Sequence, residues 1–244
     1  MLFRREPEQL MEAAERALEQ GDPRKAARFA EQLLHMRHTA GFEIKARALW
    51  AMGRPEDAIA TLQEGVAIAP EVWILWEYLG RYLSDAGRYS EALDAFRSGL
   101  ACPNAPQDGF LFNLAIVYQR LGEYDNALQM LEQAESVRSN LPLAWLEAAR
   151  AYCLIQQKRY AEAERSLERA QHALNTLDDP WTRGAVEAMV HAYTGLLYWQ
   201  RDGDLARARE HAERALHWDK TNPDAVALMR AGNPIADKPT PLWH

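Results

Sequence analysis

The sequence predicts an all-α protein built from repeated helix hairpins. Three observations point there. The glycines Gly53, Gly87 and Gly122 recur 34 and then 35 residues apart. Around them, small and aromatic residues return at matching intervals. In "WEYLGRYLSDAGRYSEALDAF" these are Trp76, Gly80, Gly87, Ala92 and Phe96. The chain has 244 residues, 48% of them apolar, which is enough to bury a substantial core.

The small residues have a physical reason. Where two antiparallel helices cross closely, the residue at the crossing must be small, or the backbones cannot approach and the large neighbours cannot interlock. Gly80 and Ala92 are assigned to such a crossing, and Gly87 ends the first helix in the left-handed conformation that glycine adopts cheaply. Tyr89 and Phe96 are expected to fill the wedge between hairpins. A mid-helix glycine costs roughly 1 kcal/mol against alanine, so close packing has to offset Gly80.

Taken in order, "LMEAAERALEQGDPRKAARFAEQLL" places Ala14, Gly21 and Ala26, with Asp22 as an N-cap and Pro23 at the first helical position. "FEIKARALWAMGRPEDAIATLQEGVAIAP" follows with Phe42, Ala46, Gly53, Ala58, Leu62 and Pro70, and "LFNLAIVYQRLGEYDNALQMLEQA" with Leu111, Ala115, Tyr118, Gly122, Tyr124, Ala127, Leu131 and Ala134. The fifth segment, "LPLAWLEAARAYCLIQQKRYAEAERSLERA", carries Trp145, Ala149, Tyr152, Tyr160, Ala163, Leu167 and Ala170, and two extra residues are assigned to its turn. In the sixth, Ala208 lies 45 residues after Ala163. Longer helices are therefore expected to flank "NTLDDPWTRG", where Asp178, Asp179 and Pro180 mark a loop and a helix start. "DAVALMRA" reads as a closing helix ended by Gly232, and the tail "NPIADKPTPLWH" is excluded from regular structure by its prolines.

The period and the Trp/Leu/Gly/Tyr…Ala/Phe/Ala/Pro pattern resemble the tetratricopeptide repeat, a helix-turn-helix unit of about 34 residues. The resemblance extends over roughly residues 7–231 and implies a right-handed α-solenoid of about six helix hairpins with a short capping helix. The expected repeats are residues 7–38, 39–72, 73–107, 108–141, 142–176 and 180–222, then a cap at 223–231. Residues 1–231 are taken as one domain and 232–244 as a proline-containing tail.

Charge narrows the partners. The net charge is −7, and residues 61–140 hold 5 basic against 11 acidic side chains, so six of the seven excess negative charges lie there. A phosphate-binding surface needs the opposite field, which argues against nucleic acid and anionic membranes. No apolar run approaches the roughly 18 residues of a membrane span, and "MLFRREPEQL" has no apolar run behind its arginines, so a cytoplasmic setting is expected. Cys102 and Cys153 are too few for a disulfide framework and sit among apolar residues as small hydrophobes.

Catalytic signatures are missing: the sequence has no Gly-rich phosphate loop, no GxSxG, no HExxH and no paired-cysteine zinc pattern. His35 and His38 in "HMRH" are two potential ligands and cannot close a metal site alone. No enzyme activity and no cofactor are expected.

The resemblance implies that first helices of successive repeats line a concave groove that receives an extended peptide or a helix. Carried over by position, the groove residues are Glu43, Arg47, Trp50, Glu77, Tyr78, Arg81 and Asp85, then Phe112, Asn113, Ile116, Gln119 and Arg120, then Leu146, Glu147, Arg150 and Cys153, and last Tyr193, Leu196 and Trp199. The expected partner surface is the cluster of Phe112, Ile116, Leu146, Tyr193 and Trp199, with Arg120 and Arg150 beside it to take a carboxylate. Glu43 and Arg47, like Glu77 and Arg81, also have the i,i+4 spacing that stabilises their own helices. The subtype that clamps chaperone C-termini uses Lys/Asn, Asn and Lys/Arg on three successive repeats. Here the matching positions read Glu43/Arg47, Tyr78 and Gly109/Asn113, or Glu77/Arg81, Asn113 and Leu143/Glu147, and neither set is that clamp. The reading is a protein-interaction scaffold with a protein or peptide partner. Its alternative is a self-assembling structural protein whose Leu242 and Trp243 occupy the groove of the same or a neighbouring copy.

Overall fold

The structure, a computed structural model, describes residues 6–138 and 141–231. The tail and Gly232, to which the closing-helix end and the groove-filling Leu242 and Trp243 were assigned, lie outside them. Thirteen helices and no strand occur among the described residues. They are α1 (Pro7–Glu19), α2 (Pro23–His35), α3 (Ala40–Ala51), α4 (Pro55–Ile68), α5 (Trp73–Asp85), α6 (Tyr89–Leu100), α7 (Gln107–Arg120), α8 (Tyr124–Ser136), α9 (Leu143–Gln156), α10 (Tyr160–Leu174), α11 (Pro180–Asp202), α12 (Leu205–Trp218) and α13 (Pro223–Arg230).

Local chemistry sets the boundaries. Asp22, Asp179, Asp204 and Asn222 each accept a hydrogen bond from a backbone N–H three residues on, at 3.0, 2.7, 3.0 and 3.0 Å, satisfying a donor that the first helical turn leaves over. At the other ends Gly21, Gly53, Gly87, Gly122 and Gly203 all have φ between 69° and 75°. Lys158, with φ 60°, takes the same role in the fifth repeat. Its turn closes with Arg159 N–H donating to the Leu154 carbonyl at 2.8 Å, as Arg88 N–H does to Leu83 at 2.8 Å after Gly87. The two extra residues expected in that turn are therefore in α9 instead. The long connection before the sixth repeat is likewise absorbed by helix, because α11 runs for 23 residues.

The chain divides into two compact units, Met1–Val117 and Tyr118–His244. In the first, helices α1 to α6 each pack on the next, and α1 also packs on α3 and α3 on α5. First helices thus adjoin first helices, as stacked hairpins require. Leu10, Ala14, Ala30, Leu33 and Ile44 form one core cluster of this unit, and each large aliphatic side chain there contributes roughly 1.5–3 kcal/mol by burial. A Cβ on Gly80 would sit 2.6–2.8 Å from the ring of Phe96, so the close approach of α5 and α6 was correctly located, but Phe96 is what presses on Gly80. The same ring meets Phe110 edge-on at 6.3 Å.

In the second unit α8 to α13 pack in succession, and α9 packs on α11 and α11 on α13. A single core runs through Ala148, Tyr152, Ile155, Leu167, Val190, Leu197, Ala212 and Leu228. Gly195 makes the close approach there, since an added Cβ would lie 2.8 Å from the Ala208 carbonyl oxygen.

Candidate functional site

Within the first unit the first helices α1, α3 and α5 bring one group of side chains together. The Trp50 and Tyr82 rings stack at 4.1 Å with planes 10° apart, and Tyr78 lies 5.9 Å from Tyr82. Arg47 and Arg81 sit 5.8 and 5.5 Å from the Tyr78 ring centre, within cation–π range. Arg47 is also held by Glu15 at 2.6 Å and Glu43 at 2.8 Å. Burial works against the Arg47 charge, but the hydrogen bonds it donates to Glu15 and Glu43 outweigh it and raise its pKa. Burial raises the carboxyls of Glu43 and Glu77, against the pull of Arg47 and Arg81 respectively, and pushes the Tyr82 hydroxyl up to about 12. Arg81 is exposed. Of the expected residues, Glu43, Arg47, Trp50, Glu77, Tyr78 and Arg81 fall here, and Tyr82 and Glu15 were missed. Phe112, Asn113 and Ile116 lie further along in α7, all half-buried.

In the second unit the corresponding face carries tyrosines. Tyr152 lies 6.4 Å from Tyr124 and 5.1 Å from Tyr193. Asp224, in the first turn of α13, is within electrostatic reach of Tyr152, Tyr193 and Arg120. Burial lifts its carboxyl to about 6, with Arg120 pulling the other way. Tyr193 and Arg120 were expected on this face, whereas Tyr152 and Asp224 were not.

Six expected residues need correction. Leu146, Glu147 and Cys153 are fully buried, Leu196 is 8% exposed and Gln119 is 7% exposed. Gln119 donates to the Ala149 carbonyl at 2.8 Å and contacts Cys153 Sγ at 3.2 Å, so it ties α7 to α9. Arg150 is ion-paired with Glu135 on α8 at 2.5 Å and with the buried Glu147 at 2.6 Å, beside second helices, and is not poised for a partner's carboxylate. For the fifth-repeat residues the cause is register. Ala46, Gly80 and Ala115 each precede their turn glycine by seven residues, and seven before Lys158 is Ala151, not Ala149. The counterpart of Arg81 is therefore Tyr152, and Leu146 and Glu147 rotate inward. Trp199 is 41% exposed.

A histidine pair also escaped the sequence reading. His191 and His211 face each other across α11 and α12, with Nδ1 atoms 3.3 Å apart, and Tyr198 lies 5.5 Å from the His211 ring. Burial, then His211 and Arg214, lower His191 to about 4, and burial and Arg214 lower His211, with Glu210 opposing. Because the unfolded chain takes up a proton near the ordinary value of 6.5, the folded state loses stability as pH falls from 6.5 toward 4. At pH 4.5 the loss relative to a His191→Leu variant should be about 2 kcal/mol, discounted for partial exposure. Asp224 has the opposite slope but is common to both proteins, so the difference in urea midpoint between them isolates the pair. A constant difference from pH 7 to 4.5 would show that His191 is not held neutral.

Among the described residues no group of three or more His, Cys, Asp or Glu side chains is placed to hold a metal ion, and no helix is long and apolar enough to cross a membrane.

The sequence profile of the tetratricopeptide repeat matches residues 45–108, and that of anaphase-promoting complex, cyclosome, subunit 3 matches residues 85–170. A solved tetratricopeptide repeat protein from Parabacteroides merdae is similar over 92% of this chain and 97% of its own, at 14% identity and a TM-score of 0.60. This is a tetratricopeptide-repeat protein. The pilF protein of Pseudomonas aeruginosa is similar over 91% of this chain and 96% of its own, with 12% identity and a TM-score of 0.65. YrrB, described as a tetratricopeptide-repeat protein with an unusual peptide-binding site, is similar over 82% and 96%, with 17% identity and a TM-score of 0.50. No curated protein matches the sequence. In this tetratricopeptide-repeat protein the left-handed turn position is filled five times by glycine and once, in the fifth repeat, by Lys158.

Proposed function

We propose that this tetratricopeptide-repeat protein is a protein-interaction scaffold that holds a peptide or short helix against the first helices of its repeats. The observation that carries the reading is the half-buried Trp50, its ring braced by stacking on the buried Tyr82, beside the exposed Arg81 on adjacent first helices. A ring fixed in this way presents a rigid flat edge at little entropic cost, and aromatic and Arg residues dominate the energetics of interfaces. The peptide-binding site described for YrrB supports the same use of the fold. Arg81, which forms no ion pair within 4 Å among the described residues, suits an acidic group on the partner, and Trp50 suits an apolar one. The reading includes a cytoplasmic setting and no catalysis, and the acidic middle of the sequence supports protein over nucleic acid or membrane as the partner.

The test is affinity chromatography with the wild type and with Trp50→Ala and Arg81→Glu variants, each first checked for an unchanged helical spectrum. A genuine partner should lose at least about tenfold in retention on the Arg81→Glu column, since a like-charge contact replaces an attractive one. Partners retained equally by all three proteins would remove this face from consideration. Light scattering on the wild type tests the rival reading, in which copies of the chain bind one another.

A further inference from the structure

Away from the first-helix faces, the second unit has an apolar recess of about 550 Å³ formed by the ends of several helices. Three indoles line it: Trp145 from the first turn of α9, Trp181 from the first turn of α11 and Trp218 from the last residue of α12. Met189 adds to the wall. Gly184 shapes it, because a Cβ there would come within 3.0 Å of Trp218 Cε3, and its absence lets that indole lie against α11. Trp181 is 88% exposed and Trp218 49% exposed. Clustered exposed apolar side chains of this kind mark contact sites on soluble proteins.

One charge belongs to the recess. Asp219 lines it half-buried, and its Oδ1 is fixed by hydrogen bonds from Thr221 N–H at 2.9 Å and Thr221 Oγ1 at 2.7 Å. Among the described residues no Lys, Arg or His side chain lines the recess. Arg183, beside it in α11, is turned to the Leu177 carbonyl, and Asn222 spends its side-chain oxygen on the Ala225 N–H at 3.0 Å. Among the described residues, Asp219 therefore enters an aromatic pocket with one carboxylate oxygen uncommitted and no counter-charge in the lining.

We propose that this recess binds an alkylated ammonium group, seated over the indole faces with Asp219 as its counter-charge. Tryptophan has the strongest cation–π attraction of the aromatic side chains, and quaternary ammonium ions are recognised by such cages. The alternatives fit less well. A neutral apolar ligand would strip water from Asp219 without compensation, and an anion would be repelled. A primary ammonium is strongly hydrated and would lose that water against the indoles, whereas an alkylated one is already clothed in apolar surface. An alkylated ammonium brings positive charge and apolar surface together. The volume lies within the usual range for small-ligand sites.

The experiment follows the indole N–H resonances of the full chain during titration with choline and with 3,3-dimethyl-1-butanol, its uncharged isostere. Choline should shift the signals of Trp145, Trp181 and Trp218 and bind at least about tenfold more tightly than the isostere. Asp219→Asn, which keeps the oxygen that Thr221 bonds, should reduce choline affinity by a similar factor, and Trp181→Ala should also weaken it. Neither change should move the melting curve, since the altered groups are exposed or isosteric. Sedimentation with phosphatidylcholine vesicles, competed by choline, separates a lipid headgroup from a free solute as the source of the ammonium. Equal affinity for choline and its isostere, or an Asp219→Asn variant that binds choline like the wild type, would overturn the assignment. So would shifts confined to other tryptophans.

Discussion

Replacing Gly80 by leucine should lower the stability of this protein by about 3 kcal/mol, toward the upper end of what overpacking costs. For a chain of this size that corresponds to a fall in melting temperature of about 6–12 °C. The reason lies in the α5–α6 approach, where a Cβ alone would meet Phe96 Cε1 at 2.6 Å and Cδ1 at 2.7 Å. Phe96 is 2% exposed and braced against Phe110, so its ring has little room to retreat. Gly80→Ala makes the sign diagnostic. Helix propensity alone would stabilise that variant by about 1 kcal/mol, whereas contact with Phe96 should make it destabilising. Adding Phe96→Leu should recover part of the loss caused by Gly80→Leu, a non-additivity expected only of residues in contact. An unchanged melting curve for Gly80→Leu would place Gly80 away from the crossing.

How far such a site can be read from sequence depends on whether its cause is local. Gly53, Gly87 and Gly122 were legible because a left-handed turn strongly favours glycine, and Asp22 and Asp179 because capping acts over three residues. Lys158 hides the same turn behind a residue that carries no turn signal, and that displaced the fifth repeat by two positions. The error moved Leu146 onto a face it does not occupy and concealed Tyr152. Counting back from Ala163, whose place after Tyr160 is regular, would have recovered Ala151 and with it the correct face. The recess lined by Trp145, Trp181 and Trp218 was beyond this reasoning for another reason. Its indoles come from the ends of three helices separated by long stretches of chain, and no periodicity connects them. Gln119 belongs to the same class: its position suggested a solvent-facing amide, and only the neighbouring helix shows that its partners are Ala149 and Cys153.

Glu147 tests that corrected register most severely. Its side chain is fully buried in α9, with Oε1 2.6 Å from Arg150 Nη1 and Oε2 3.0 Å from Arg169 Nη2. The second contact is out of line for a hydrogen bond, leaving Oε2 paired by charge alone. A buried carboxylate in this position loses its hydration on folding and recovers it only through its two guanidinium partners. Removing one side of a buried pair typically costs about 3–5 kcal/mol, because a charge is left without compensation. Arg150 keeps Glu135 at 2.5 Å, so Glu147→Leu should fall at the low end, near about 3 kcal/mol. Glu147→Leu combined with Arg150→Met should restore much of that loss, since an apolar pair of similar volume no longer buries a charge. The pair is separated from its neighbours by a double-mutant cycle in urea, with a coupling of about 1–3 kcal/mol expected between Glu147 and Arg150. A Glu147→Leu protein as stable as the wild type would mean that this side chain faces solvent, and the two-residue shift assigned to α9 would fall with it.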